Sequence, residues 1–500
     1  MKKYIGILVL AAHLMGCTGE LELVNPNVTT AETYWKSDAD FLSAMAATYK
    51  VFKDVNNGYW GVRGVELTNG RGDDFFIRND VKDLYQLSTF TNTPTTGTPS
   101  SIFSGAFTGI FRANQIIENA PGSPLSDASK KQFIAEAKFI RAVNYLHLAI
   151  NFGAVPLITK VPVDRSQYFV KQSPEADVWA QVVADLQAAK TDLPVAYSSD
   201  YVGRATQGAA IGYLGKAYLY QQKWAEAEAE FKLLMSAPFT YQLLADYGQN
   251  FLKEYDNNAE SVFEIQNQNV GGSQPWAGEN ANESQGVTTA QEFAPSEVQG
   301  WFEVSPTDKI FNEFQKEKTT TGDFDPRMYA SLVWDYPGAT FYNKPFSSFS
   351  LVFGYKSMIK KYQNYKDNNE GIYISEINEK AMRFADVLLM YAEALTMQGK
   401  AVEAYAPLNR VRNRAKLANL ATGFTQEQLM AEIRHQRAIE LFREGVRFYD
   451  LKRWGLLKTE IANSDKIGKE FFNETKHTYF PIPQNEINTN PAIEQNPAWK

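Results

Sequence analysis

Residues 203–235, GRATQGAAIGYLGKAYLYQQKWAEAEAEFKLLM, constrain the fold more than any other stretch. Apolar and small residues recur there at helical spacing: Ala210, Leu214, Ala217 and Tyr218, then Ala227, Phe231 and Leu234. Trp224 and its neighbours mark a turn between the two runs. Gly215 and Ala227 are small enough for two antiparallel helices to approach closely, while Tyr218 and Phe231 fill the groove beside them. Such a hairpin cannot bury its apolar face alone, so it must stack against neighbours of the same kind. The chain is therefore expected to be mainly α, with an architecture set by where those neighbours lie.

Leu214, Gly215, Tyr218, Ala227 and Phe231 stand at the relative spacings of a tetratricopeptide unit. A second hairpin over 388–414 repeats the logic with Tyr391, Ala392, Leu395, Ala404, Leu408 and Val411. The two lie far apart, so the repeats are dispersed rather than tandem. The apolar period also predicts helices over 38–56, 110–119, 129–152, 174–193, 381–397 and 425–451, and a strand over 261–266. The expected scaffold thus occupies 38–56, 129–235 and 381–455. Glycine, proline and polar residues make 58–109 and 267–379 loop-rich, with a Thr/Pro/Gly/Ser stretch at 91–101. The tail, 479–499, reads as extended.

The N-terminus reads as a processing segment. Lys2 and Lys3 precede a short apolar run that ends in Leu14-Met15-Gly16-Cys17, which resembles a bacterial lipobox. Residues 1–16 would be removed as a signal and Cys17, the only cysteine, would carry the lipid. Several acyl chains can hold a folded body, here 17–500 as a single domain, on a membrane. A net charge of −7 without a basic stretch argues against a nucleic-acid partner.

Several segments in order carry a wider resemblance. They are FIRAVNYLHLAINFGAVPLI (139–158), GRATQGAAIGYLGKAYLY (203–220), RFADVLLMYAEAL (383–395), LNRVRNRA (408–415), IRHQRAIELFREGVRFYDLKRWG (433–455) and PIPQNEINTNPAIEQNP (481–497). Together they resemble SusD/RagB-like proteins, the starch-utilisation-type outer-membrane lipoproteins of Bacteroidetes. Glu20 and Glu22, close behind Cys17, resemble the surface-export signal of such lipoproteins. The departure is His435-Gln436-Arg437, where the family usually has Glu-Arg; only packing is expected to change there. The resemblance implies one mainly α domain of tetratricopeptide-like helix pairs with a loop-rich region packed on it. It also implies a cell-surface glycan binder that sits as a lid on a SusC-like TonB-dependent transporter. The alternatives are a peptide-binding lid, a surface glycoside hydrolase, or a helical scaffold without a small ligand.

The four histidines offer no pair at i, i+4 for zinc, and no phosphate loop, G-x-S-x-G elbow or dinucleotide fingerprint occurs, so neither metal nor cofactor is expected. Glycoside hydrolysis needs two carboxyl groups of unlike acidity. Asp73 with Asp74, and Asp323 with Asp325, are close in sequence, but nothing there raises a pKa, so no catalytic residue is expected. Asp73 and Asp74 lie where the family places an acidic hydrogen-bonding partner for sugar hydroxyls. A flat ring stacks on the C–H face of a sugar, and amides, acids and arginine satisfy its hydroxyl rim. Aromatics on polar, glycine-rich loops are the expected platform: Trp276 between Gly272 and Gly278, then Trp334, Tyr336, Phe341 and Tyr342. Trp301 and the pair Phe75-Phe76 follow, with Arg71 as a rim donor beside Asn69, Asn280 and Asn282. Tyr218, Trp224, Trp179, Tyr391 and Trp454, on helices, read as packing, and Arg447, Asp450 and Arg453 as ion pairs to the tail.

Overall fold

The computed structural model describes residues 34–54, 58–269, 286–351, 354–371 and 374–500, with 65–67 in backbone only. Its frame is a series of helices: α1 (Asp38–Tyr49), α2 (Gly97–Asn119), α3 (Asp127–Phe152), α4 (Glu175–Asp192), α5 (Gln207–Tyr220) and α6 (Trp224–Leu233), then α7 (Phe384–Met397), α8 (Ala401–Arg414) and α9 (Gln426–Glu440). Each of α2 to α6 packs on the next, and α6 packs on α7 across the long irregular segment between them. The two hairpins separated in sequence are therefore neighbours in space, and one continuous apolar core runs through the stack. Helix starts follow local chemistry. Ser37 and Asp40 form a reciprocal capping box on α1, Thr425 and Gln428 do so on α9, and the Thr206 hydroxyl accepts from the Ala209 amide on α5.

The close approach inferred for α5 and α6 is present. A Cβ added at Gly215 would stand 2.5 Å from Cε1 of Phe231. Both residues are fully buried in the stack, so neither can move outward. Gly215→Val is expected to cost roughly 2–3 kcal/mol through overpacking, measured as a lower urea midpoint; an unchanged midpoint would contradict the contact.

Four expectations need correction. The stretch at 91–101 is not wholly loop, because α2 begins at Gly97; Pro99 falls in the first turn, where its missing N–H is not required. Short helices at Gly64–Gly70 and Lys82–Ser88 also make 58–109 more regular than its composition suggests. The helix expected over 425–451 is broken: α9 stops at Glu440 and a separate helix, Arg447–Arg453, follows. Arg443 and Gly445 between them have φ of 64° and 73°, the left-handed region that ends a helix. Arg447, Asp450 and Arg453 do form ion pairs, but with Asp73, Arg437 and Glu393 rather than with the tail.

Among the described residues, strands pair only in twos. They include β1 (Phe75–Ile77), β2 (Ser261–Ile265), β3 (Val304–Pro306), β4 (Leu332–Trp334), β5 (Ser357–Ile359) and β6 (Glu379–Arg383), paired antiparallel as β1–β3, β2–β6 and β4–β5. The loop-rich region builds a small second core of its own from Val298, Phe302, Val333, Phe341, Tyr342, Phe346, Phe349 and Met358. Buried charge then joins the two regions. Arg383 reaches Glu260, Glu440 and Glu444, and Glu440 also receives Arg327 and Arg414. At the sequence departure, Nδ1 of His435 lies 2.6 Å from Glu313. Burial lowers the pKa of that ring, but Glu313 and Glu317 outweigh it and hold it up at about 9.

No helix among the described residues is long and apolar enough to cross a membrane. The expected leader, 1–16, and Cys17 lie outside the described residues.

Candidate functional site

Of the expected platform, Trp276 with Asn280 and Asn282 lies outside the described residues. Most of the rest is buried, which corrects the expectation of rings held out on polar loops. Trp334 is 6% exposed, wedged between Phe311, Phe324, Tyr329 and Tyr336 at centroid distances of 5.9, 6.0, 5.1 and 4.6 Å. Phe341 and Tyr342 belong to the second core, and the Tyr342 hydroxyl donates to Gln363 and Glu370. Phe75 packs on Phe293 and Phe442, and Phe76 on Tyr355, all five rings being interior or nearly so. Tyr336 remains half-buried beside the exposed Tyr329.

The polar expectations are corrected too. The Arg71 guanidinium is caged between the rings of Phe448 and Phe480, 4.0 and 3.7 Å from their centroids, and donates to Asn151. Asn69 is likewise interior. Asp73 accepts from Arg447 at 2.7 and 2.8 Å and pairs with Lys309 at 2.7 Å. Burial would raise its pKa, but these cations hold it well below the usual carboxylate range. Asp74 behaves oppositely: burial and the neighbouring Asp73 charge push it up to about 7. Two carboxyl groups of split acidity do therefore lie side by side. Their shared cavity is about 10 Å³, room for a water molecule and far too small for a sugar ring. The Asp73 carboxylate braces α-helix Arg447–Arg453 and the short helix Asp308–Phe314 against β1. Asp323 is exposed, and Asp325 is buried against Arg327, so that pair does not converge either.

What does reach the surface is Trp301. It stands three residues before β3, on a backbone turn fixed by its own amide donating to the Gln291 carbonyl at 2.7 Å. Gly300 is obligatory in that turn, because a Cβ there would meet the Ala294 carbonyl oxygen at 2.0 Å. The register Ile77↔Val304 sets the residue after β1, Arg78, beside the residues before β3. Its guanidinium donates to the Trp301 carbonyl at 2.6 Å and the Phe302 carbonyl at 3.2 Å, and clasps Asp80 at 2.6 and 2.8 Å. From the other side Arg63 sits 5.6 Å from the indole centroid and is held by Glu303. The result is a half-buried indole flanked by two partly exposed arginines and an exposed acid. A sugar can stack on such a ring while its hydroxyls donate to Asp80 and accept from the arginines. Sequence reasoning singled out Trp301 but not its neighbours Arg63, Arg78 and Asp80. The last two were signalled by their place directly after β1.

Glu292 lies beneath this shelf, fully buried, accepting from the Arg63 amide at 3.0 Å and from the Thr288 hydroxyl at 2.6 Å. Burial, with Glu303 adding to it, raises its pKa from 4.5 to about 7. A carboxyl group whose folded pKa is raised contributes stability below about pH 4.5 and loses it as pH climbs towards 7. Glu292→Gln is thus expected to be near neutral at pH 5 and stabilising by up to about 3 kcal/mol at pH 8. Urea melts at the two pH values measure this; an equal change at both would refute the assignment.

Comparisons with known proteins agree with this architecture. A family model described as the SusD family matches residues 259–499, and one described as starch-binding associating with outer membrane matches 28–219. A SusD superfamily protein from Bacteroides vulgatus superposes with a TM-score of 0.86 at 36% identity, covering 93% of this chain and 100% of its own. A structure described as a laminarin binding SusD-like protein gives a TM-score of 0.79 at 27% identity, with coverage of 93% and 100%. The SusD-like protein P2 of Formosa agariphila is 29% identical over 99% of each chain.

Proposed function

Because this chain belongs to the SusD family, we propose that it is a non-enzymatic glycan-binding lipoprotein of the outer-membrane surface, anchored through Cys17, that hands its ligand to a SusC-like TonB-dependent transporter. The observation that carries the binding part is the Trp301 shelf, a built surface with one ring and a polar rim. The laminarin-binding relative supports the ligand class. A hydrolytic role finds no support in the carboxylates the sequence offered, since Asp73 and Asp74 are sealed and Asp325 is committed to Arg327. Weak sites serve such a protein, because tethering beside a transporter keeps the local concentration of ligand high.

The test uses the purified protein and gels cast with laminarin, starch, xylan, mannan and cellulose derivatives. Retardation in one or more of these, with no release of reducing ends from the same polysaccharide, is the expected result. Release of reducing ends would make it a hydrolase, and retention of peptides without any glycan would make it a peptide lid. Detergent extraction should co-purify a TonB-dependent barrel with the wild-type protein, and Cys17→Ala should release the protein from membranes.

A further inference from the structure

We propose that the protein carries a second oligosaccharide site, remote in composition from the Trp301 shelf, in the trough between α1, β2 and residues 195–206. The inference rests on the reading of the protein as a glycan binder but shares no residue with the shelf. The trough holds two chambers of about 490 and 400 Å³, sizes typical of small-molecule sites. Val202, Gly203 and Arg204 line both, so this short strap crosses between them. Tyr201, 42% exposed, faces the first chamber; Tyr197 and Tyr241 line the second.

These rings are not loose. The Arg204 guanidinium lies 4.8 Å from the Tyr197 centroid and 5.2 Å from that of Tyr201. It is in turn clamped by Glu136 of α3, a wholly buried carboxylate. The same carboxylate accepts from the hydroxyls of Tyr197 and Tyr49, each at 3.1 Å, and Tyr49 accepts the Ala205 amide at 2.7 Å. One buried acid thus fixes the strap and the rings on both sides of it. Rigid aromatic faces bordering open chambers are what sugar stacking requires. Polar side chains ring the chambers as well: Asp200 and Gln266 on the first, Thr240, Asn257 and Asn258 on the second.

An extended peptide is the rival occupant, since among the described residues β2 pairs on one side only, with β6. The strap opposes that. Gly203 packs so tightly on Gln266, at the end of β2, that an added Cβ would stand 2.3 Å from the Gln266 Cγ. A continuous added strand would collide with it, whereas a short oligosaccharide seated in one chamber, against Tyr201 or against Tyr197, need not cross it.

Crystals soaked in a mixture of maltohexaose, laminarihexaose, cellohexaose, xylohexaose and mannohexaose decide the matter. Pyranose density against Tyr201 or Tyr197 supports the second site, whether or not Trp301 is also occupied. Density on Trp301 with an empty trough overturns it and leaves the proposed function standing; density at neither place counts against both. Tyr201→Ala, an exposed change expected to leave the melting temperature alone, should abolish density in the first chamber while sparing that on Trp301. First-chamber density that persists unchanged in Tyr201→Ala overturns the proposal. So does a peptide seated there after soaking in a casein hydrolysate, with no sugar bound.

Discussion

Arg383→Met is expected to cost about 4 kcal/mol of folding free energy, because it leaves buried carboxylates without their shared cation. Arg383 is 1% exposed, and its guanidinium joins Glu260 before β2, Glu440 at the end of α9, and Glu444 beyond it. After the change, Glu440 still has Arg327 and Arg414, and Glu444 still has Lys361. Glu260 keeps only Arg414 among these cations, at 3.5 Å. Burial pushes the Glu440 carboxyl up, and Arg383 is one of the cations that hold it well below its usual range. Urea denaturation measures the loss. A loss under about 1 kcal/mol would mean that desolvation of the cluster already cancels its attraction.

Trp334→Ala is expected to lower stability by about 3–5 kcal/mol, the range for emptying a buried aromatic site. It should do so without weakening glycan retention by the molecules that remain folded. Four rings surround this indole, and it seals the join between β4 and the short helix Asp308–Phe314. Gels run well below the melting temperature of the variant separate the two effects. Weakened retention at full folding would return Trp334 to the binding surface.

The contrast between Trp334 and Trp301 shows what the sequence could convey. Close helix packing demands small residues at fixed spacing, so Gly215 and Ala227 announced the α5–α6 pair unaided. The strand at 261–265 was equally visible. Polar and glycine-rich neighbours, by contrast, say little about burial when a loop region folds into a core of its own, as Phe341 and Tyr342 do. Long-range charge is silent in the sequence altogether. Arg383 meets Glu260 from 123 residues away, and Arg71 finds its aromatic cage in Phe448 and Phe480. Arg78 and Asp80 sat in plain view after β1, but only the β1–β3 register brings them to Trp301.

The proposed glycan site rests above all on the ring of Trp301. Affinity gels comparing wild-type protein with Trp301→Ala, cast with each polysaccharide that retards the wild type, test this directly. The indole is half-buried rather than interior, so circular dichroism well below the melting temperature should stay the same. Affinity should fall by about 2 kcal/mol, roughly thirtyfold, as for a central aromatic anchor. Wild-type retention by Trp301→Ala would contradict the account.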